Sequence, residues 1–343
     1  MADMQAALLY GQGDMRMEYV PKPQATAEEV LLKVRSVGVC GSDLHYYLEG
    51  GIGSAAVNSP LILGHEFAAE VVDERAALFG LRPGALVAVD PAKPCGHCEW
   101  CARGHANLCP YVVFSGSPPD NHGGLCEYVR YPREQLFTVP ESFDADTTAL
   151  LEPLGVAIHA LDLAKLKPMD SVAILGAGTI GLLLLQVARH VGASDVYVID
   201  PLAYRAEAAA KLGASAVATH YDEVLEQTQG RGVDVVLEAT NSPTGPAHAA
   251  EIARIGGKLV LVGIPEGDNF SLQASLVRRK GLTIKLSRRM GHVYPRAIAM
   301  VAKGFVDLPA IVSHRFPLTQ TPEAFATQAS YRDGVIKTMV YTS

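Results

Sequence analysis

The chain has 343 residues, of which 49% are hydrophobic, so it can bury two cores and two domains are expected. Its net charge is −7 and its acidic and basic residues are interspersed, which excludes a phosphate backbone as the main partner. No window approaches twenty uninterrupted apolar residues, and the start lacks the basic and apolar segments of an export signal. We therefore expect no membrane span and a cytoplasmic protein.

Two kinds of predicted structure follow one another along the chain. Up to about residue 150, short strand-like runs alternate with loops rich in Gly and Pro, which indicates a β-rich domain. From about 171 to 286, six strand-like runs alternate with helical stretches, which predicts a doubly wound parallel sheet. The sequence becomes irregular again after about 305. We therefore predict that residues 153–290 form a nucleotide-type domain inserted in a domain made of residues 1–152 and 291–343.

Candidate metal ligands are scattered through the first domain. They are Cys40 in VGVCGSDLHYY, His65 and Glu66 in LILGHEFAAEVV, and Glu152 in LLEPLGVAIHA. A thiolate, an imidazole and a carboxylate can hold zinc while leaving a position for water or a substrate oxygen. Such a zinc ion lowers the pKa of a bound hydroxyl by several units, which favours hydride release from an alcohol. Taken singly, each residue is more simply a core thiol or a solvated charge; their combination favours the open zinc site.

Four further cysteines are spaced C-x2-C-x2-C-x7-C. They are Cys95, Cys98, Cys101 and Cys109. Four thiolates at this spacing can close a tetrahedron around one zinc ion with no position left for a substrate. Disulfide bonds are the alternative, but three cysteines spaced so closely cannot pair among themselves without strain. We predict a structural zinc site here and interpret the remaining Cys126 as a small buried apolar residue.

A Gly-rich turn opens the inserted domain. The run SVAILGAGTIGLLLLQVARHVG contains G-x-G-x-x-G as Gly176, Gly178 and Gly181, between a predicted strand and a long helix. This context favours a dinucleotide site, because the turn admits a pyrophosphate to the helix N-terminus. Asp200 ends the next strand, where a carboxylate accepts from both ribose hydroxyls of adenosine and repels a 2′-phosphate. Arg205, about a turn later, is expected against the adenine. NAD is the predicted cofactor, and an unliganded glycine turn is the alternative.

These motifs make the chain resemble the zinc-containing medium-chain alcohol dehydrogenases, and among them the sorbitol (polyol) dehydrogenases. The resemblance covers essentially the whole chain, from CGSDLHYY and GHEFAAEVV to LLEPLGVAIHA and GAGTIG. It implies an α/β fold class, in which a GroES-like β-rich catalytic domain is interrupted by a Rossmann domain. It also implies that Cys40, His65 and Glu66 bind the catalytic zinc and that the four clustered cysteines bind the structural zinc. Glu152 matches a carboxylate that touches the catalytic metal directly or through its water.

The rest of CGSDLHYY supplies a proton path in this interpretation. The hydroxyl of Ser42 would bridge the substrate oxygen and a cofactor ribose, and His45 would pass the proton to solvent. A capping serine and a surface histidine are the plainer interpretation of these two residues. A water held by Glu152 is an alternative base.

The predicted substrate contacts include one departure from the family pattern. By resemblance, Tyr46 and Arg289 face the substrate. In the run LSRRMGHVYP, however, Met290 stands where polyol dehydrogenases have a tyrosine that bonds the sugar alcohol, and a thioether cannot donate a hydrogen bond. Either the substrate has one polar group fewer in that direction, or His292 or Tyr294 takes over the role.

Further cofactor contacts are expected near the carboxyl ends of the sheet strands, where dinucleotides bind in open α/β sheets. The residues concerned are Ile180 in the Gly-rich motif, Val262, Gly263 and Ile264 after the fifth strand, and Ser287, Arg288 and Arg289 after the sixth.

The sequence therefore predicts a zinc-dependent oxidoreductase that transfers a hydride from a secondary hydroxyl of a polyol to NAD, giving a ketose. Another zinc dehydrogenase, of the L-threonine or glucose type, is the nearest alternative. A non-catalytic protein that binds zinc and NAD is the second, and a zinc-free quinone reductase should lack both metal sites. We expect two zinc ions per chain and, as the resemblance implies, a homo-oligomer that is a dimer or a tetramer.

Overall fold

The structure, a computed structural model, describes residues 3–342 and divides the chain into two units. The first unit contains the described residues up to Glu152, together with Tyr294–Ile298 and those from Leu308 onward. The second contains Pro153–Val293 and Ala299–Asp307. The second unit thus differs from the predicted segment 153–290, because residues 291–293 and 299–307 also pack within it.

Regular structure over these residues includes twenty strands, eleven α-helices and seven short 3-10 helices. The strands are β1 (Asp3–Gly11), β2 (Asp14–Pro21), β3 (Glu29–Gly38), β4 (Gly51–Ile52), β5 (Ala55–Ala56), β6 (Leu61–Ile62), β7 (Glu66–Val71), β8 (Leu86–Val89), β9 (Ala92–Lys93), β10 (Val113–Phe114), β11 (Tyr128–Pro132), β12 (Leu136–Thr138), β13 (Val172–Leu175), β14 (Val196–Ile199), β15 (Ala216–Ala218), β16 (Val233–Glu238), β17 (Ala253–Leu261), β18 (Thr283–Leu286), β19 (Val312–Pro317) and β20 (Lys337–Tyr341). The helices are α1 (Gly41–Glu49), α2 (Glu99–Ala102), α3 (Ala145–Ala149), α4 (Leu151–Ala164), α5 (Thr179–Val191), α6 (Ala203–Lys211), α7 (Asp222–Gln227), α8 (Gly245–Ile252), α9 (Ala274–Lys280), α10 (Tyr294–Ala302) and α11 (Thr321–Ala329). None of these helices has both the length and the apolar content needed to cross a bilayer.

A seven-stranded sheet forms the centre of the first unit. Its order is β12-β8-β7-β3-β20-β19, and β11 also pairs with β3. The pairs are antiparallel except β19 with β20. Along β3 the side chains alternate, so that Val30, Leu32 and Val34 are buried in the core. Because β20 lies beside β3, the C-terminal segment completes the β-rich unit that the N-terminal segment begins.

The second unit contains a six-stranded sheet whose pairs are all parallel. Its order is β15-β14-β13-β16-β17-β18, and these strands correspond to the six predicted runs. The residues of β13 are all buried, as expected for a parallel strand covered on both faces. The predicted doubly wound Rossmann sheet is confirmed. Since the chain leaves β13 first to one side and then to the other, the switch point where dinucleotides bind lies at the end of β13.

The segment PLILGHEFAAEVV, one of the strand-like runs before residue 150, is interrupted in the structure. It forms β6 and β7, with Gly64 between them at a φ of +91°, a left-handed conformation that residues with a Cβ rarely adopt. The period-two pattern does not reveal this break. The break places His65 directly before β7 and Glu66 at its first position, where Glu66 pairs with Gly38 of β3.

Candidate active site and metal centres

Three potential metal ligands meet in the first unit, beside the starts of α1 and β7. The sulfur of Cys40, a ring nitrogen of His65 and a carboxylate oxygen of Glu66 all lie within 4.8 Å of one another. His65 and Glu66 are buried, whereas Cys40, which directly precedes α1, is partly exposed. A sulfur, a nitrogen and an oxygen donor with one accessible edge suit zinc with an open coordination position.

Asp43, which the sequence analysis did not single out, orients two of these ligands from a fully buried position. Its Oδ2 accepts from the backbone N–H of Cys40 at 3.1 Å, and its Oδ1 lies 3.4 Å from Nδ1 of His65. With Nδ1 held by the carboxylate, the Nε2 atom of His65 faces Ser42, whose Oγ is 3.5 Å away. An acid three residues after a helix-capping position is a capping-box pattern, and this signal in CGSD was available in the sequence.

Lys337 is a second partner that sequence reasoning missed. Its Nζ donates to the carboxylate of Glu66 and, at 2.9 Å, to the carbonyl oxygen of Val39, and both charged side chains are at most 2% exposed. Gly38 faces Glu66 across the β3–β7 pair, and a Cβ there would overlap the Glu66 carboxylate and the Lys337 side chain. Lys337 lies 271 positions along the chain from Glu66, so no local pattern links them.

Buried acids give this site a preference for added positive charge. Burial raises the pKa of Glu152 to about 8, and the neighbouring Glu66 adds to the rise against the opposing influence of His65. Burial lowers the pKa of His65, but the charges of Asp43 and Cys40 outweigh it and raise this pKa well above its usual value. A divalent cation among these groups would relieve their mutual repulsion. The three-residue ligand cluster does not include Glu152, which stands at the start of α4.

The first turns of α1 bring Ser42 to the ligand cluster. Its Oγ lies 3.4 Å from the sulfur of Cys40, in addition to its contact with His65. His45, one turn further, is buried, and its Nδ1 lies 2.5 Å from a carboxylate oxygen of Glu49. Tyr46 is also buried at this end of the unit. The helix ends at Gly50, whose left-handed φ of +76° terminates it.

The four clustered cysteines form a second potential metal centre, around α2. Their sulfur atoms lie within 4.8 Å of one another, with 3.5 Å between Cys98 and Cys101 and 3.8 Å between Cys98 and Cys109. Zinc–sulfur bonds of about 2.3 Å in a tetrahedron imply sulfur–sulfur distances of about 3.8 Å, so the cluster has the right size. The backbone N–H of His97 lowers the pKa of Cys95 to about 6. All six cysteines of the chain are free thiols, and Cys126 is buried as expected.

In the second unit, the Gly-rich turn lies between β13 and α5. Gly176 has a left-handed φ of +91°, and a Cβ on Gly181 would overlap the carbonyl oxygen of Gly176. Internal packing thus accounts for these two glycines. It does not account for Gly178, where a Cβ would meet no atom closer than 3.8 Å. Open space beside Gly178, at the N-terminus of α5, leaves room for a phosphate group to approach the backbone, and Ile180 is half-buried in the same turn.

Asp200, at the end of β14, is held beside this turn. Its Oδ2 accepts from the backbone N–H of Ala177 at 2.8 Å, and its Oδ1 accepts from that of Leu202 at 2.9 Å. Arg205 approaches within 3.9 Å of the same carboxylate, and its guanidinium is also the group nearest to the open space at Gly178. The turn, the helix N-terminus and the acid therefore stand together, as a dinucleotide site requires.

The loops after β17 and β18 meet at the same edge of the sheet. The backbone N–H groups of Val262 and Gly263 donate to the carbonyl oxygen of Glu238, at 2.8 and 3.1 Å. In the next loop, the Ser287 hydroxyl is buried and has no hydrogen-bond partner within residues 3–342, which fits a cofactor group as its partner. Arg289 has a left-handed φ of +54°, uncommon for a residue with a side chain. Ile264 and Arg288 continue these two loops.

Met290 and Tyr294 serve packing in the structure. Met290 is buried against α4, where a Cβ on Gly155 would overlap its sulfur. Tyr294 stacks on Phe137 with ring centroids 4.5 Å apart and donates its hydroxyl hydrogen to the carbonyl oxygen of Val89 at 2.8 Å. The suggestion that Tyr294 replaces the missing substrate-binding tyrosine is therefore wrong, because its hydroxyl already has a buried partner.

Comparison with known proteins agrees with this arrangement. The family of alcohol dehydrogenase GroES-like domains matches residues 26–141, and the family of zinc-binding dehydrogenases matches residues 179–303. The chain is 36% identical over 348 residues to a sorbitol dehydrogenase of Bacillus subtilis, an alignment that covers 99% of this chain and 97% of that protein.

Solved structures resemble the chain over nearly its full length. L-idonate 5-dehydrogenase from Escherichia coli has a TM-score of 0.90 at 27% identity, covering 99% of this chain and 98% of that one. A Sinorhizobium meliloti protein described as a zinc-binding dehydrogenase and bound to NADP has a TM-score of 0.89 at 30% identity, covering 99% and 100%.

Proposed function

Because the chain belongs to the zinc-dependent alcohol dehydrogenases, and within them to the sorbitol dehydrogenase branch, we propose that it oxidises a secondary hydroxyl of a polyol to a ketone and transfers the hydride to NAD. One observation carries this proposal. The same chain holds an open set of sulfur, nitrogen and oxygen ligands in its first unit and a phosphate-admitting turn with an adjacent acid in its second. Neither feature alone would specify an alcohol dehydrogenase.

In this proposal, Cys40, His65 and Glu66 hold the catalytic zinc. When bound, zinc supplies a Lewis acid that lowers the pKa of a substrate hydroxyl by several units. Asp43 keeps Nδ1 of His65 engaged so that Nε2 faces the ligand cluster, and Lys337 balances the charge of Glu66. Ser42 and His45 then carry the substrate proton away along α1.

We propose NAD as the cofactor because Asp200 is fixed where the 2′-phosphate of NADP would meet a negative charge. In the Asp200→Ala variant, the ratio of kcat/KM for NAD to kcat/KM for NADP should fall at least about tenfold. This change corresponds to about 1.4 kcal/mol. Asp195→Ala, an exposed acid just before the same strand, is the matched control and should leave the ratio unchanged. An unchanged ratio in Asp200→Ala would remove the basis for the NAD assignment.

We propose that the four-cysteine centre holds a second, structural zinc, since its sulfur spacing fits a closed tetrahedron. We further propose a homo-oligomer, dimer or tetramer, in the cytoplasm, where a reducing environment suits six free thiols. Metal analysis of the purified protein measures its zinc content, and light scattering measures the mass of the assembly.

The decisive experiment follows NADH formation by zinc-loaded protein with alditols of four to seven carbons, and with L-threonine and glucose. Turnover of alditols that share one stereochemical pattern supports the proposal. Activity on threonine or glucose alone would assign another branch of the family. If protein that contains zinc turns over none of these compounds, the polyol proposal is rejected.

A further inference from the structure

Three polar side chains lie in a row along one side of α1. Ser42, His45 and Glu49 are three and four positions apart, so they stand on successive turns of the same helix face. At 1.5 Å per residue, the row is about 10 Å long. One end, Ser42, contacts Cys40 and His65, and the other end, Glu49, has 38% of its side chain exposed. The row therefore extends from the ligand cluster at Ser42 to the partly exposed Glu49.

The contact between His45 and Glu49 determines which ring nitrogen carries the proton. Nδ1 of His45 lies 2.5 Å from Oε1 of Glu49, and an ionised carboxylate can only accept a hydrogen bond. The neutral ring must therefore hold its hydrogen on Nδ1. Its Nε2 is then the atom with a lone pair, and a base on this path needs that lone pair.

Local helix energetics do not account for an acid at this position. Glu49 is the last residue of α1, where the helix dipole disfavours negative charge by about 0.3–1 kcal/mol. Gly50 already terminates the helix through its left-handed conformation, and its N–H bonds to the carbonyl oxygen of Tyr46. The contact with His45, only 9% exposed, is the interaction that gives Glu49 a role.

We infer that Glu49 is a positioning residue for proton transfer: it fixes the Nδ1–H tautomer of His45 and stabilises the imidazolium that forms when Nε2 accepts the substrate proton. This inference rests on the proposed function. In each turnover the substrate C–H hydride passes to NAD, and its hydroxyl proton passes through the Ser42 hydroxyl to Nε2 of His45. The ring then returns this proton to solvent, so alcohol and NAD become ketone, NADH and a proton.

The test compares Glu49→Leu and Glu49→Gln, each alone and combined with His45→Gln, in zinc-loaded protein. Leucine removes the acceptor, so kcat should fall about tenfold, whereas the KM for NAD and the zinc content should stay unchanged. This fall is a part of the 10²–10⁴-fold rate increase that a general base contributes. Glutamine keeps an acceptor oxygen but loses the negative charge, so its kcat should fall less than that of the leucine variant and stay below that of the unsubstituted protein. In the His45→Gln background, Glu49→Leu should cause no further loss, because its effect acts through His45.

Glu28→Leu, which removes an exposed acid just before β3, is the matched control and should leave kcat unchanged. Equal losses from Glu49→Leu with and without His45, or equal losses from leucine and glutamine, would overturn the inference. Nitrogen-15 spectra of histidine-labelled protein give a readout independent of turnover. They should show His45 protonated at Nδ1 in the unsubstituted protein and a tautomer mixture in Glu49→Leu. The Nε2–H tautomer in the unsubstituted protein would refute the role of Glu49, whereas an inactive protein with the Nδ1–H tautomer would refute only the polyol function.

Discussion

The ion pair between Lys337 and Glu66 should make a large contribution to the stability of the first unit. The Lys337→Met variant keeps an unbranched side chain of similar length but removes the ammonium group. It leaves a carboxylate that is 2% exposed without its cation, and the carbonyl oxygen of Val39 without the donor at 2.9 Å. Removing one partner of a buried pair costs about 3–5 kcal/mol, because the other charge stays desolvated.

Urea unfolding of zinc-free protein measures this cost. For an m-value of about 3 kcal/mol/M, the midpoint should fall by about 1–1.7 M. Far-UV circular dichroism and the fluorescence of Trp100 follow the transition; Trp100 is the one tryptophan of the chain and lies in the first unit. Arg82→Met is the matched control. It removes the cation of the Arg82–Glu141 pair, whose side chains are 72% and 88% exposed, and should shift the midpoint by no more than the experimental error.

A second substitution tests the cause of the loss. If the unpaired charge of Glu66 is responsible, adding Glu66→Gln to Lys337→Met should recover most of the lost stability, because the neutral amide is cheaper to bury. The reasoning is refuted if Lys337→Met unfolds at the wild-type midpoint. It is equally refuted if the double variant is no more stable than the single one.

Three further predictions concern the cofactor turn and the two metal centres. Gly178→Ala should fold normally but bind NADH at least about tenfold more weakly in a fluorescence titration, whereas Gly181→Ala should lose about 1–3 kcal/mol of stability because its Cβ overlaps a carbonyl oxygen. In zinc-free protein, the pKa of Glu152 is raised from 4.5 to about 8, so its stabilising contribution is complete below pH 4.5 and is lost as the pH rises to about 8. The free energy of unfolding, measured by urea titration across this range, should fall by at most about 1.4 kcal/mol per pH unit on account of this group, and Glu152→Gln should abolish that part. Cys98→Ser should reduce the zinc content from two ions to one per chain and lower the melting temperature; loss of both ions would contradict two separate sites.

Sequence patterns were sufficient where the participating residues are close in the chain. The four cysteines and the Gly-rich turn each occupy one short segment, and the spacing itself encodes their geometry. Asp43 belongs to the same class, because it lies three residues after Cys40 in a capping pattern that the sequence contains. The six strands of the parallel sheet were predictable because each is a buried run bounded by turn signals.

The remaining features depend on contacts that no local pattern contains. Lys337 reaches Glu66 only because β20 lies beside β3, a pairing that depends on the whole tertiary fold. The break at Gly64 is hidden within a run that otherwise reads as strand. Met290 stands where polyol dehydrogenases have a substrate-binding tyrosine, yet its side chain fills the space left by Gly155 on α4, which its place in the chain does not reveal.

The two metal centres differ in when a growing chain can assemble them. Cys95 and Cys109 are 14 positions apart, so the cysteine centre can close as soon as its own segment has been synthesised. The charge balance of the Cys40 centre requires Lys337, which is synthesised about 230 residues after Cys109, or about 10–45 s later at 5–20 residues per second. Zinc should therefore enter the structural centre first, and the reactive centre should mature only after the second unit has been made.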